Sequence, residues 1–205
     1  NGTDSFTYKA NDGTSDSNTV QVDITVTAVN DPPGIYIYME QPELWVMHED
    51  TTRDLHYGAL QFWDVDAGSE LVRTTMTAAH GTVSLASVQG LLFEQGDGVD
   101  DAEMVFTSTI AALNHAAAYM DGEEEVVSHF YLTPDYYGEA TLTIKINDLG
   151  HTPAPAQETT ASVTMPVLSV NDAPAGTNKT VTMEEDTVYA FAAGDFGFTD
   201  PKDTP

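Results

Sequence analysis

Gly2-Thr3-Asp4-Ser5-Phe6-Thr7-Tyr8-Lys9-Ala10-Asn11-Asp12 recurs, 136 residues later, as Gly138-Glu139-Ala140-Thr141-Leu142-Thr143-Ile144-Lys145-Ile146-Asn147-Asp148. Two further pairs keep that offset. His48-Glu49-Asp50-Thr51 matches Glu184-Glu185-Asp186-Thr187, and Phe62-Trp63-Asp64 matches Phe198-Thr199-Asp200. A fourth, Val29-Asn30-Asp31-Pro32-Pro33 against Val170-Asn171-Asp172-Ala173-Pro174, is offset by 141. The five extra residues fall in the Pro-rich stretch 151–157. Self-similarity at a fixed period is the signature of a repeat architecture. The chain therefore reads as the tail of one repeat (1–33), a complete repeat (34–174) and the head of a third (175–205). Proline at each Asn-Asp-x-Pro element removes a ladder donor and holds the preceding residue extended, so each element ends a strand and forms a short stiff linker. Neither partial repeat can close a core alone, and both ends are expected to be poorly packed, strand-swapped or partner-dependent.

Within a repeat, period-two alternation dominates. Val20, Val22, Ile24 and Val26 share one face, as do Leu142, Ile144 and Ile146. Further strands are expected at Ile35–Met39, Leu44–Met47, Leu71–Ala78, Met104–Thr107 and Val126–Leu132. Turn signals separate them at His80-Gly81, Gln89-Gly90, Gly96-Asp97-Gly98, Asp135–Gly138 and Asn147-Asp148. Only the Ala-rich Thr109–Met120 segment has helical spacing, with Ile110, Leu113 and Ala117 on one side. It predicts a short helix capping an open end. Many short strands with one helical insert give the expected class: an all-β Greek-key sandwich repeated in tandem.

Composition narrows the function. Thirty-three acidic residues oppose six Lys and Arg, for a formal net charge of -27. Such a surface repels phosphate backbones and anionic lipid, which argues against nucleic acid and membrane partners. No apolar run approaches the roughly 20 residues that span a bilayer. Self-repulsion on this scale calls for a salty medium or for bound divalent cations. With no cysteine in the chain, disulfides supply no cross-links.

The run Asp64-Val65-Asp66-Ala67-Gly68-Ser69, then Ala79-His80-Gly81-Thr82-Val83-Ser84-Leu85, then Phe106–Asn114, resembles the cadherin-like repeats of giant bacterial surface proteins. Tyr131-Leu132-Thr133-Pro134-Asp135-Tyr136-Tyr137-Gly138 and the Asn-Asp elements continue the likeness. The middle part is also similar to chondroitin sulfate proteoglycan repeats. The resemblance spans nearly the whole chain. It implies an RTX-type adhesin or biofilm protein, exported to the extracellular bacterial surface, in which monomeric repeats act as extenders. It departs from the pattern where Asp64-Val65-Asp66 becomes Asp200-Pro201-Lys202-Asp203.

Calcium takes six to eight hard oxygens from carboxylates, carbonyls and amides. The recurring acids supply candidates. At the first joint they are Asn30, Asp31, Glu49, Asp50, Asp64 and Asp66, with Asp12 from the preceding repeat. At the second they are Asp148, Asn171, Asp172, Glu185, Asp186 and Asp200. By resemblance to cadherin junctions, linker and loop acids come together there. Set against this, Asn-Asp turns form without metal, because both side chains bond their own backbone. The Gly96–Asp101 loop lacks EF-hand spacing and reads as a solvated turn, and Asp121–Glu125 as a solvated helix exit. Catalysis is not expected. The six histidines lack zinc spacing, and no nucleophile elbow is present. An alternative function is a carbohydrate-binding module of a secreted polysaccharide-active protein, with Trp45, Trp63, Tyr136 and Tyr137 as stacking surfaces. Partners would be neighbouring repeats and cell-surface glycans or proteins.

Overall fold

The computed structural model describes residues 1–38, 45–150 and 154–199. The expected strand positions Met39 and Leu44 and the candidate ligand Asp200 lie outside them. Among the described residues, sixteen strands, one α-helix and a short 3-10 turn make the chain mostly β. In order, they are β1 (Gly2–Tyr8), β2 (Val20–Val26), β3 (Gly34–Ile37), β4 (Met47–His48), β5 (Thr52–Leu55), β6 (Leu60–Trp63), β7 (Val72–Ala79) and β8 (Gly81–Ser84). There follow β9 (Leu92–Gln95), β10 (Glu103–Ser108), α1 (Ile110–Ala117), β11 (Ala118–Asp121), β12 (Glu124–Leu132), β13 (Gly138–Asn147), β14 (Glu158–Leu168), β15 (Ala175–Gly176) and β16 (Phe198–Thr199).

The largest sheet has six strands in the order β4-β14-β13-β7-β10-β9. A second sheet joins β11, β12 and β5, with β8 also paired to β12. Three two-stranded pairs, β1-β2, β3-β6 and β15-β16, complete the set. Alternation explains the burial. On β13, Ala140, Leu142, Ile144 and Ile146 are buried, and the threonines between them lie on the other face. Those residues meet Met76, Phe106, Val163 and Met165 from the same sheet. Leu55, Val83 and Phe130 enter the same apolar cluster from the β12 sheet, and Leu113, Ala116 and Ala117 from α1.

The helix forms where the spacing predicts it. Thr109 caps its N-terminus, its hydroxyl accepting a hydrogen bond from Ala112 N at 3.2 Å. Thr109→Ala leaves that N–H without its cap, and urea denaturation should show a loss of about 1 kcal/mol. The acidic Asp121–Glu125 segment is a β-hairpin turn and not a helix exit. The helix stops at Ala117, Asp121 pairs with Glu124, and Gly122 takes the positive φ (66°) that this tight turn requires.

The recurrence seen in sequence reappears as strand register. In the first hairpin Gly2 faces Val26 and Tyr8 faces Val20. In the second Gly138 faces Val167 and Ile144 faces Ala161. The leading strands are thus 136 apart and the returning strands 141, so the insertion sits in the hairpin loop. A second coincidence lies downstream. Gly34 faces Trp63 and Ile35 faces Phe62, whereas Ala175 faces Thr199 and Gly176 faces Phe198. The surroundings differ. Every residue of β1 and β2 is exposed, including Phe6, Tyr8, Val22 and Ile24 on the shared apolar face.

Candidate metal centre

Two turns build the strongest constellation. After β4 the chain reverses at His48-Glu49-Asp50-Thr51, where Asp50 has φ 59° and the Thr51 hydroxyl donates to His48 O at 2.5 Å. Glu184-Glu185-Asp186-Thr187 makes the same turn, with Asp186 at φ 60° and Thr187 donating to Glu184 O at 2.7 Å. Thr133-Pro134-Asp135-Tyr136 forms the second turn. Proline presets its first corner, Asp135 takes φ 57° at the next, and Tyr136 N donates to Thr133 O at 3.2 Å. The turns are joined by Asp135 N donating to Asp50 Oδ1 at 3.0 Å.

Tertiary pairing delivers the linker to them. β4 runs parallel to the end of β14, with Met47 beside Val167 and His48 beside Leu168, and Glu49 N bonds Leu168 O at 3.0 Å. Glu49 is 3% exposed; its Oε1 accepts from Val170 N and from the Ser169 hydroxyl at 3.1 Å. Its other oxygen, Oε2, is buried with no hydrogen-bond partner among the described residues. Two residues beyond Val170, Asp172 completes the constellation. Asp50, Asp135 and Asp172 each offer a carboxylate oxygen, and these lie within 4.8 Å of one another. Oxygens gathered this closely could share one cation at the calcium–oxygen distance of about 2.3–2.6 Å. An all-carboxylate set suits a hard cation and not zinc or copper, which favour imidazole and thiolate.

The opposite end of the sheets is arranged differently. Asp148, 3% exposed, accepts from Gly150 N (2.9 Å) and Gln157 N (2.8 Å) through Oδ1. Its Oδ2 accepts from the Asn30 amide at 2.6 Å. Asn30 is buried too; its amide also donates to Pro155 O (3.0 Å), and its own carbonyl accepts from the Gln157 amide. Next to this latch, Asp31 N donates to Asp66 Oδ2 (2.7 Å), and Asp64 Oδ1 accepts from Asp66 N (2.8 Å) and Ala67 N (2.9 Å). Asp64 Oδ2 is buried without a hydrogen-bond partner among the described residues.

The two ends correct how the sequence reading grouped its ligands. Glu49 and Asp50 sit with the second linker, not the first, because β4 pairs with β14. Asp148 sits with the first linker, because the β13–β14 turn lies at the opposite end from β4. Asp12 closes an Asx turn in its own hairpin, where the Ser15 and Thr14 backbone N–H groups hold its carboxyl below the usual carboxylate range. Asn147 and Asp148 make the matching turn in the longer hairpin, to Leu149 N and Gly150 N. Glu185 and Asp186 are exposed, and Asn171 donates to Asp172 O at 2.7 Å. Asp135 is the member of this acidic cluster that sequence reasoning did not single out. The Gly96–Asp101 loop is a self-contained turn, with Asp101 Oδ2 accepting from Asp97 N (2.9 Å) and Gly98 N (2.7 Å).

Of the aromatic surfaces, Trp45 is buried beneath the Arg53 guanidinium, 5.8 Å from its ring centre, and is part of the core. Tyr136 stacks on His80 at 3.9 Å, and Trp63 and Tyr137 are exposed. No family model, curated protein or solved structure matches the chain.

Proposed function

We propose that this chain belongs to a calcium-stiffened extender, a row of β-sandwich units in a secreted bacterial adhesin or biofilm surface protein. Each joint would hold calcium between the Asp50 and Asp135 turns of one unit and the linker aspartate that leads into the next. The observation that carries this reading is the convergence of Asp50, Asp135 and Asp172 beside Glu49, whose buried Oε2 lacks a partner. A buried carboxylate oxygen without a donor is costly, and a cation is the group that would offset it.

The two linkers give complementary halves of one joint. Asp31 and Asp172 are equivalent at the 141-residue offset. Asp172 meets the turns that precede it, and Asp31 meets the Asp64–Asp66 loop that follows it. Superimposed, they describe a linker aspartate flanked by Glu49, Asp50 and Asp135 on one side and Asp64 and Asp66 on the other. That assembly offers the six or more oxygens calcium requires. The bare apolar face of β1 and β2, identical in register to the covered face of β13 and β14, fits a unit whose other sheet belongs to a preceding segment. Shared register at both hairpins and at the β3-β6 and β15-β16 pairs supports the tandem reading.

The test is small-angle scattering of a chain carrying two complete units. Calcium should lengthen the maximum dimension and narrow its distribution relative to EDTA, because the joint loses bending freedom. Identical profiles in the two conditions would rule out a calcium-stiffened joint.

A further inference from the structure

Away from both linkers, β6 and α1 border a cleft of 390 Å³ whose lining includes Tyr57, Gln61, Trp63 and Asn114. All of its lining side chains are uncharged, in a chain with a formal charge of -27. We infer that this cleft is a binding site for a neutral oligosaccharide, which stacks on the Trp63 indole and is gripped at its hydroxyls by the Gln61 amide and the Tyr57 phenol.

The indole is held for this purpose. Gly34 lies opposite Trp63 in the β3-β6 register, and the indole occupies the space where a side chain on Gly34 would project. A Cβ on Gly34 would fall 2.0 Å from Trp63 Cε2 and 2.3 Å from Cζ2. Trp63 nevertheless stays 49% exposed, so the surface away from Gly34 is open. Rigidity comes from α1. Asn114 takes the place of a neighbouring strand for β6, accepting from Phe62 N (3.0 Å) and donating to Phe62 O (2.8 Å) and Ile110 O (3.0 Å). Glu125 accepts from Tyr57 N and pins the loop that carries the phenol. A preformed aromatic face with a few convergent polar groups is the usual make-up of a small-molecule site. Sugar rings present C–H faces to such a surface and hydroxyls to amides, and an uncharged lining imposes no electrostatic cost on a neutral ligand.

The repeat supplies an internal comparison. At the 136-residue offset Tyr57, Gln61 and Trp63 become Ala193, Gly197 and Thr199, and opposite Thr199 stands Ala175 in place of Gly34. The strand pairing is kept while the indole and the glycine that seats it disappear together. Neither is therefore needed to form the β3-type pair.

Tryptophan fluorescence gives the test, because Trp45 is buried and only Trp63 faces solvent. The 205-residue chain is titrated with cellohexaose, laminarihexaose, maltohexaose, mannohexaose and a neutral galactan hexamer, in calcium and again in EDTA. Saturable change with at least one of them is expected under both conditions, which separates this site from the calcium joint. Because Trp63 is itself the reporter, Trp63→Ala is read by titration calorimetry, where it should abolish binding, with Trp45 emission as the check on folding. Tyr57→Ala should weaken affinity on the order of tenfold. Gly34→Ala keeps the indole but displaces it, and should weaken binding at least as much. No response to any hexasaccharide, binding unchanged by Trp63→Ala and Gly34→Ala, equal binding of oligogalacturonate, or a response to a neutral proline-rich peptide alone would each overturn the proposal.

Discussion

Asp135→Asn should remove the calcium-dependent part of the chain's thermal stability while leaving the melting temperature in EDTA equal to or above that of the parent chain. Without metal, Asp50, Asp135 and Asp172 crowd three carboxylates into one small volume, and like charges at this distance repel. Removing one charge relieves that repulsion, so the variant gains in EDTA. With metal the sign reverses, because the variant offers a weaker oxygen and one charge fewer. A site with a dissociation constant of about 10⁻⁴–10⁻³ M stabilises by roughly 1.4 kcal/mol at ten times that concentration and about 2.7 kcal/mol at a hundred times. For a unit of this size the larger value corresponds to a melting shift on the order of 10 °C, which calorimetry with and without calcium reads directly. Asparagine tolerates positive φ, so the turn that carries Asp135 at φ 57° survives the exchange. A parallel loss of stability in both conditions would mean that Asp135 serves the turn alone.

Asp148→Ala should be the more damaging substitution, and indifferent to calcium. Its carboxylate satisfies Gly150 N, Gln157 N and the Asn30 amide at once, in a setting where Asp148 and Asn30 are both buried. Alanine strands three donors whose individual desolvation costs run to about 1–3 kcal/mol and do not simply add. A total loss of about 3–5 kcal/mol is expected in urea denaturation, a large fraction of an ordinary domain's 5–15 kcal/mol. Asp148→Asn keeps an acceptor oxygen and should recover part of the loss. The two substitutions together separate the two ends of the unit. One end is closed by hydrogen bonds within the chain, and the other gathers three carboxylates that could hold a cation.

Local chemistry made much of this legible in the sequence. The Gly2 and Gly138 hairpins, the Asn-Asp turns and the capped helix at Thr109 follow from patterns a few residues long. The division of acids between the two ends was not legible. It depends on β4, only two residues long, choosing β14 as a parallel neighbour, and nothing in Met47-His48 announces that partner. Asp135 escaped notice for a related reason. In sequence it is one corner of a Pro-Asp turn, and no position 136 residues before or after it falls within the 205 residues, so self-comparison could not flag it. β5 was missed because Thr52-Arg53-Asp54-Leu55 buries only Leu55. Trp45, offered as a stacking surface only for the alternative function, is a buried core residue. Arg53, eight positions away in sequence, lies over the indole at 5.8 Å.

A calorimetric titration of calcium into the EDTA-stripped 205-residue chain tests the central claim most directly. The account predicts saturable binding with a dissociation constant of about 10⁻⁴–10⁻³ M. It also predicts that Asp135→Asn abolishes that binding and Asp12→Asn leaves it intact. Absence of any binding heat up to several millimolar calcium, or an isotherm that Asp135→Asn does not change, would contradict it.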